Sequence, residues 1–149
     1  MATPRRNLIS VSNTPYYHCI SRCVRRAYLC GQDPLTGRSY EHRRGWVEKK
    51  LLQLGRIFCI DICAYAVMSN HTHLVLHIDI VKAKRLNNKA ILIRWHKLFK
   101  STFLCQRFLN GELLTQTELA TVNTKVNLYR ERLSSISWFM RVLNEGIAR

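Results

Sequence analysis

Three stretches in the first half of the chain have the composition and spacing of β-strands. Residues 16–24 alternate and contain β-branched and aromatic side chains, and residues 57–68 are apolar and rich in strand-forming types. Residues 71–78 alternate strictly, so one face would carry only Thr72, Leu74, Leu76 and Ile78. That face is predicted to join the core, and Ser69-Asn70 is predicted to form the tight reversal that precedes it.

A helical period replaces the alternation elsewhere. Residues 41–54 place Val47, Leu51 and Leu54 on one face, and Gly55 follows at the position of a helix C-cap. In the second half, one helical face is predicted to run from Ile91 through Trp95 to Phe103. Thr115 and Glu118 have the spacing of a capping box, which predicts a helix with Leu119, Val122, Val126, Tyr129 and Leu133 on its apolar face. A last helix follows, with Ile136, Phe139, Met140, Leu143 and Ile147 on its apolar face.

The order strand, helix, hairpin predicts an α+β fold with a ferredoxin-like, split βαβ antiparallel sheet and helices on one face. At 149 residues the chain is expected to form one domain, with a sheet core at about 15–80 and a helical part at about 88–149. Such a sheet ordinarily has a fourth strand, and no candidate follows the helices. The chain is therefore expected either to be truncated at its C-terminus or to close its sheet with a partner subunit.

The charge balance favours a polyanionic partner. Lys and Arg total 24 against nine acidic residues, which gives a net charge of +15. Such an excess binds phosphates through the release of condensed counterions, although a ribosome-like or membrane-surface protein would have the same balance. None of the six cysteines forms a Cys-x-x-Cys pair, and no apolar stretch predicts a membrane span or a secretory signal. We therefore expect reduced thiols, no membrane association and a cytoplasmic location.

Two histidines begin the third predicted strand. His71 and His73 point to the same side of that strand, with Cα atoms roughly 6–7 Å apart, so both could bind one divalent ion. His77 shares their face but lies about 13 Å beyond His73, too far to bind the same ion. The spacing alone also fits an ordinary polar surface, and two histidines are an incomplete ligand set.

The segments around these histidines resemble a known family. Asn70-His71-Thr72-His73-Leu74-Val75-Leu76 resembles the His-hydrophobic-His signature of the IS200-like transposases, single-tyrosine HUH endonucleases that include the REP-associated tyrosine transposases. Thr72 stands where the family more often has a bulkier apolar residue. Upstream, Tyr17-His18-Cys19-Ile20-Ser21-Arg22-Cys23 is similar to the family's first strand, which reads Tyr-His-x-x-x-Arg. The resemblance covers about residues 15–80 and is weaker beyond them.

The resemblance implies a DNA-binding transposase that acts on single-stranded or hairpin DNA in transposition and recombination. It implies Mg²⁺ or Mn²⁺ held by His71, His73 and one further polar ligand. A tyrosine on a late helix would attack the scissile phosphate and leave a 5′-phosphotyrosine link and a free 3′-hydroxyl. The resemblance also implies a homodimer and a nucleoid-associated protein of the prokaryotic cytoplasm.

The expected tyrosine does not align. The late-helix motif resembles residues 139–149, but the family's tyrosine position is occupied by Ile147. Tyr129 is the nearest alternative nucleophile, and it falls on the apolar face of its own helix. The third metal ligand is unassigned, with Asn144, Glu145 or a residue beyond Arg149 as candidates. A non-catalytic nucleic-acid-binding relative therefore stays open beside the transposase, and enzymatic activity is expected only by resemblance.

Basic and aromatic residues supply weaker candidates for DNA contact. Lysines and arginines could neutralise phosphates, and an exposed aromatic ring could stack on an unpaired base. The candidates are Arg22, Arg25, Arg26, Trp95, Lys97 and Lys100. An RNA-binding ferredoxin-like domain is a further alternative, but it expects exposed aromatic residues on adjacent strands, and Phe58 and Tyr65 alone do not make such a platform.

Overall fold

The computed structural model describes residues 14–22 and 30–148, so the candidates Arg25 and Arg26 lie outside the described residues. The strands are β1 (Tyr16–Arg22), β2 (Ile60–Val67) and β3 (His71–Ile78). The helices are α1 (His42–Ile57), α2 (Ile80–Arg85), α3 (Asn88–Trp95), α4 (Phe103–Leu109), α5 (Gln116–Leu133) and α6 (Ile136–Ala148). The described chain is thus a mixed α+β structure with a three-stranded sheet and six helices.

The sheet is antiparallel and has the order β1-β3-β2, so β3 lies in its centre. In the register, His73 faces Ile20 of β1 and Ala66 of β2. The predicted reversal at Ser69-Asn70 is confirmed, because the Met68 N–H donates to the His71 carbonyl at 2.9 Å and closes a tight turn between β2 and β3.

The two faces of β3 differ as the alternation predicts. Thr72, Leu74, Leu76 and Ile78 are all buried, whereas the residues between them are only half-buried. The predicted core face of β3 is therefore confirmed. Residues paired across strands project to the same side, so Cys19 of β1, which faces Leu74, also enters the core.

The helices complete the core. Val47, Leu51 and Leu54 of α1 are buried, and α1 contacts both β2 and α6. The predicted capping box is confirmed at the start of α5, where the Glu118 N–H donates to Thr115 Oγ1 and the Thr115 N–H donates to Glu118 Oε1. Four of the five predicted apolar residues on each of the last two helices are buried, while Leu119 is exposed and Ile147 is half-buried.

The predicted end of the first helix is wrong. The helix α1 continues through Gly55 to Ile57, and the Phe58 N–H bonds to the Leu54 carbonyl at 2.8 Å. A Cβ at position 55 would lie 3.1 Å from Ile62 Cδ1, so glycine here allows the helix to approach β2 closely rather than ending the helix. As a consequence β2 begins at Ile60, and residues 58–59 form a buried connection.

The single helical face predicted over residues 91–103 is also wrong. The helix α3 ends at Trp95, and a separate helix, α4, starts after Thr102, whose side chain accepts from the Cys105 N–H. Phe103, at the first position of α4, is 77% exposed instead of continuing the apolar face. The Thr102 N-cap therefore starts a separate helix, and this helix does not continue the apolar face of α3.

Candidate metal and nucleic-acid site

The sheet surface opposite the core is called the outer face below. Because β1 and β2 both pair with β3, their side chains on this surface follow from the register. The outer face comprises Tyr16, His18, Ile20 and Arg22 of β1, Asp61, Ala64 and Ala66 of β2, and His71, His73, Val75 and His77 of β3. Several of these residues are exposed and none is fully buried, so ligands in solution can reach this surface.

The sequence-predicted pair, His71 and His73, lies together on the outer face. Their ring centroids are 4.8 Å apart and the planes are inclined by 70°. Asn70, in the preceding turn, places its Oδ1 within hydrogen-bond distance of His71 Nδ1. Because a carbonyl oxygen only accepts, Nδ1 carries the proton, and Nε2 of His71 is the nitrogen left to bind an ion.

A third histidine, His18, joins this pair and was missed as a candidate ligand in the sequence. Its Nε2 lies 3.1 Å from His73 Nδ1, and the two rings stack with centroids 5.3 Å apart. The three imidazoles therefore form a row, with His73 in the middle. The sequence contains no local signal for this contact, because it depends on the pairing of β1 with β3, across 55 residues of chain.

Arg22 lies beside the histidine row. It faces His71 directly in the β1–β3 register and is exposed. Among the residues of the three strands, the single carboxylate is Asp61, which faces His77 at the opposite end of the sheet. The end of the outer face that carries Arg22 and the row is thus suited to a negatively charged ligand.

His77 belongs to a different cluster. Its Nδ1 lies 2.9 Å from Asp61 Oδ2, and the ring of Tyr16 lies over it with centroids 4.7 Å apart. The sequence predicts that His77 lies too far from His73 to share an ion with it. The structure agrees, since His77 contacts Asp61 of β2 and Tyr16 of β1 instead.

The histidine row fits a divalent metal ion only in part. Imidazole nitrogens are good ligands for late first-row transition metals, whereas Mg²⁺ prefers oxygen ligands. Within residues 14–22 and 30–148, however, no three His, Cys, Asp or Glu side chains are already arranged to hold one ion. An ion at His71 and His73 would therefore depend on further ligands from water, a phosphate or a side-chain rearrangement.

The two candidates for a third ligand on α6 lie elsewhere. Asn144 Oδ1 accepts from the hydroxyl of Ser21, at 2.5 Å. Ser21 faces the buried Thr72 in the register, so Asn144 is on the core side of the sheet and not on the outer face. Glu145 pairs with Arg141 at 3.2 Å. Neither residue contacts the histidine row, and both were predicted from a helical motif that could not indicate the side of the sheet.

The tyrosine candidates are not near the histidine row either. Tyr129 is 8% exposed, and burial raises the pKa of its phenol, which opposes its use as a phenolate nucleophile. Ile147 is half-buried and packs against the core. On the core side of β2, the Tyr65 hydroxyl donates to Glu48 at 2.9 Å, and this bond raises its pKa. Of the tyrosines on the three strands, only Tyr16 is on the outer face.

The other predicted DNA contacts have different environments. Lys97 and Lys100 are exposed beyond the end of α3. Trp95 is only 3% exposed, and the rings of Phe99 and Tyr129 stack on it with centroids 4.7 Å and 5.0 Å away. A ring this deeply buried offers no surface for a base, so the prediction that Trp95 stacks on nucleic acid does not fit its position.

Comparisons with known proteins identify no relative. The chain matches no protein-family model, no curated protein and no solved structure. A search for membrane spans gives a negative result as well, since none of the described helices is both long and apolar enough to cross a bilayer.

Proposed function

We propose that this chain is a transposase-like DNA-binding protein that acts on single-stranded or hairpin DNA in transposition or recombination. The observation that carries the proposal is the grouping of His71, His73 and Arg22 on the outer face. This grouping joins both segments that resemble the IS200-like family, because Arg22 belongs to the first segment and the histidines belong to the second.

The electrostatic surroundings support a phosphate ligand. Arg22 can form two parallel hydrogen bonds to a phosphate, and the chain has a net charge of +15. No carboxylate in the strands lies at the Arg22 end of the outer face to repel a phosphate backbone. The exposed Lys97 and Lys100 add positive charge that could bind the DNA without reading its sequence.

The proposed reaction is cleavage and strand transfer through a phosphotyrosine. A tyrosine phenolate oxygen attacks the scissile phosphorus, the bond to the 3′-oxygen breaks, and that oxygen takes up a proton to become a free 3′-hydroxyl. A bound divalent ion would polarise the phosphate at the histidines. In the reverse direction a 3′-hydroxyl displaces the tyrosine, so strand transfer needs no external energy source.

A second function, non-catalytic binding of nucleic acid, is favoured by the tyrosines. The family's tyrosine position holds Ile147, Tyr129 is buried, and Tyr65 is on the core side. Tyr16 is on the outer face, but it lies against His77, about four residues along the strand from His73. On this alternative the same surface binds DNA and the chemical step has been lost.

The strand order supports the finer fold assignment. In a ferredoxin-like, split βαβ sheet, a strand that follows in sequence is inserted between two parallel strands joined by a helix. The order β1-β3-β2, with α1 between β1 and β2 in sequence, is compatible with that plan. The proposed homodimer rests on the family resemblance alone.

The test is incubation of the full chain with hairpin-bearing single-stranded DNAs and Mn²⁺, followed by a denaturing protein gel. A slow-migrating covalent adduct that disappears in a His71→Ala, His73→Ala double variant supports the transposase. The matched control is His77→Ala, which removes a histidine from the same face but outside the row, and it should still form the adduct. Mass spectrometry of the adduct then identifies the tyrosine.

A native gel separates the two functions. Retarded DNA with no adduct in the denaturing gel supports the non-catalytic alternative, and Arg22→Ala should then weaken the retardation. If the chain retards no DNA at low salt and forms no adduct, both functions are rejected.

A further inference from the structure

We propose that a cleft between α5 and α6 binds one unpaired nucleotide of single-stranded DNA, with its phosphate on Arg132 and Arg141 and its base against Leu128. The inference rests on the proposed function and deepens it, because it gives the DNA a second contact on the helical layer. The helix α6 packs on the core side of the sheet, so this cleft is separate from the outer face. Its test is the binding of oligonucleotides, which does not require that the protein cleaves DNA.

The junction of the two helices forms the cleft. Ser135 precedes α6, and its Oγ accepts from the Trp138 N–H at 3.4 Å. Arg141 follows Trp138 by three residues, which places both on one face of α6. The volume of the cleft is about 270 Å³, and its lining consists of Leu128, Glu131, Arg132, Ser135 and Trp138. Sites for small ligands usually measure about 300–1,000 Å³, so the cleft has the size for one nucleotide and not for a duplex.

The indole ring of Trp138 holds two guanidinium groups at the cleft. The Cζ atom of Arg132 lies 4.3 Å from the ring centroid, and the Cζ atom of Arg141 lies 4.9 Å from it. Because both distances are measured to the same centroid, the two Cζ atoms are at most about 9 Å apart. A guanidinium that makes two hydrogen bonds to a phosphate lies roughly 4 Å from the phosphorus atom, so small side-chain adjustments bring both arginines to one phosphate.

The side chain of Arg132 has unused hydrogen-bond donors. It is half-buried and lies over the rings of Trp95 and Trp138, but within residues 14–22 and 30–148 its N–H groups have no acceptor and no carboxylate pairs with it. A partly desolvated charge without an anion is unfavourable, and a phosphate would satisfy these donors. The hydroxyl of Ser135, which accepts from the Trp138 N–H, still has a proton to donate to the same phosphate.

Two carboxylates lie near the arginines. Glu145 pairs with Arg141 at 3.2 Å, but both side chains are more than half exposed, so this pair is weak and a phosphate can replace the carboxylate. Glu131 lines the cleft and is exposed, and its charge opposes the binding of an anion. Replacement of Glu131 therefore gives a test whose expected sign is opposite to that of the arginine variants.

Two lysines add positive charge beside the cleft. The ring of Phe99 contacts Trp138 with centroids 6.1 Å apart, and the exposed Lys97 and Lys100 belong to the same short segment as Phe99. These lysines, predicted from the sequence as DNA contacts, therefore extend the basic surface away from the arginines. A basic surface that continues beyond the cleft favours a DNA strand over an isolated anion.

The experiment measures the fluorescence anisotropy of a labelled oligo-dT of about twelve nucleotides with the full chain, over a range of salt concentrations. Arg132→Met should weaken binding roughly tenfold and should lower the slope of log K against log salt by about 0.7, the value for one phosphate contact on a single strand. Arg132→Lys keeps the charge and loses the paired donors, so it should restore the slope and only part of the affinity. Arg56→Met, which removes an exposed arginine from α1, is the matched control and should stay within about twofold of the wild type.

Two further comparisons test the position and the occupant of the cleft. Glu131→Gln should tighten the binding of oligo-dT about two- to threefold, whereas Glu112→Gln, which neutralises an exposed carboxylate before the start of α5, should have a smaller effect. Arg132→Met should weaken the binding of a duplex of equal length less than half as much, because paired bases cannot enter the cleft. Circular dichroism of each variant establishes that the fold is retained, and if Arg132→Met is unfolded, Arg141→Gln decides instead, because that side chain is exposed.

The outcomes separate the inference from the proposed function. If Arg132→Met and Arg141→Gln bind oligo-dT with the affinity and salt slope of the wild type, the inference is overturned, while weaker binding by Arg22→Ala still supports the proposed function. An equal loss on oligo-dT and on the duplex overturns the assignment of an unpaired nucleotide. A loss in Arg132→Met, combined with wild-type binding by Arg22→Ala, supports the inference and counts against the outer face. A wild-type chain that binds neither DNA at low salt rejects both proposals.

Discussion

Replacing Thr72 with valine should stabilise the protein. Thr72 is the middle residue of the His-Thr-His segment, and it is 1% exposed on the core face of β3. Its hydroxyl oxygen has no hydrogen-bond partner among the described residues. Valine has nearly the same shape, so the change removes a buried polar atom without opening a cavity or adding volume.

The magnitude follows from the cost of that unpaired hydroxyl. Mutational data place the cost of burying an unsatisfied hydroxyl at about 1–3 kcal/mol. Valine and threonine are both β-branched strand formers, so a difference in strand propensity adds little to this gain. We expect the free energy of unfolding to rise by about 1–2 kcal/mol, which for a chain of this size corresponds to a Tm increase of roughly 2–8 °C.

The assay is urea denaturation followed by circular dichroism, with Thr72→Ser as the matched comparison. Serine keeps the hydroxyl and loses the methyl group, so it should be less stable than the wild type by about 1 kcal/mol. If valine gives no gain, the hydroxyl is satisfied by an internal water molecule or by a residue outside the described ranges, and the reasoning fails. Retardation of DNA in a native gel should not change with valine, because residue 72 points away from the outer face.

Three further predictions concern other parts of the molecule. Arg130 donates to two carbonyl oxygens at and just after the end of α2, so Arg130→Met should lower the free energy of unfolding by about 2–3 kcal/mol in urea denaturation, while Arg130→Lys should recover only part of it. The Thr115 backbone N–H lowers the pKa of the Glu118 carboxyl below its usual value. The carboxylate therefore stabilises the fold fully above the ordinary glutamate pKa of about 4.3, and this stabilisation is lost as the pH falls through the lower folded-state pKa. Glu118→Gln should flatten the dependence of Tm on pH in this acidic range. Iodoacetamide should label exposed Cys63 in the native protein, whereas Cys59, whose thiol pKa is raised by burial, should react only after unfolding, as peptide mass mapping would show.

The periodic parts of the fold could be predicted from the sequence because their signals are local. Strict alternation identified the core face of β3, and the spacing of Thr115 and Glu118 identified the start of α5. Gly55 did not mark the end of α1, because a glycine can either end a helix or allow a helix to pack closely against its neighbour. Its place after an apolar helical face suggested a C-cap, but here it provides room for the side chain of Ile62, a contact that becomes visible only in the folded chain.

Only the part of the candidate site that lies within a single strand could be predicted from the sequence. His71 and His73 share a face by local geometry, so the pair was evident. His18 is 55 residues away from His73 in the chain, and only the strand register brings the two rings together. Trp95 gives the reverse case, since a tryptophan among basic residues suggests a surface ring, whereas its ring is buried and packs against Tyr129 and Phe99.

The central position of β3 has a consequence for how this protein can change over evolutionary time. Its even positions hold the core together and its odd positions carry the imidazoles. Substitutions at the odd positions can therefore remove or replace the imidazoles one residue at a time with little loss of stability. Insertions and deletions have no such freedom, because a shift of one residue would exchange the two sets and bury the histidines. Drift in this strand is thus confined to point substitutions, and a lineage that lost one of the histidines could regain it by a single replacement.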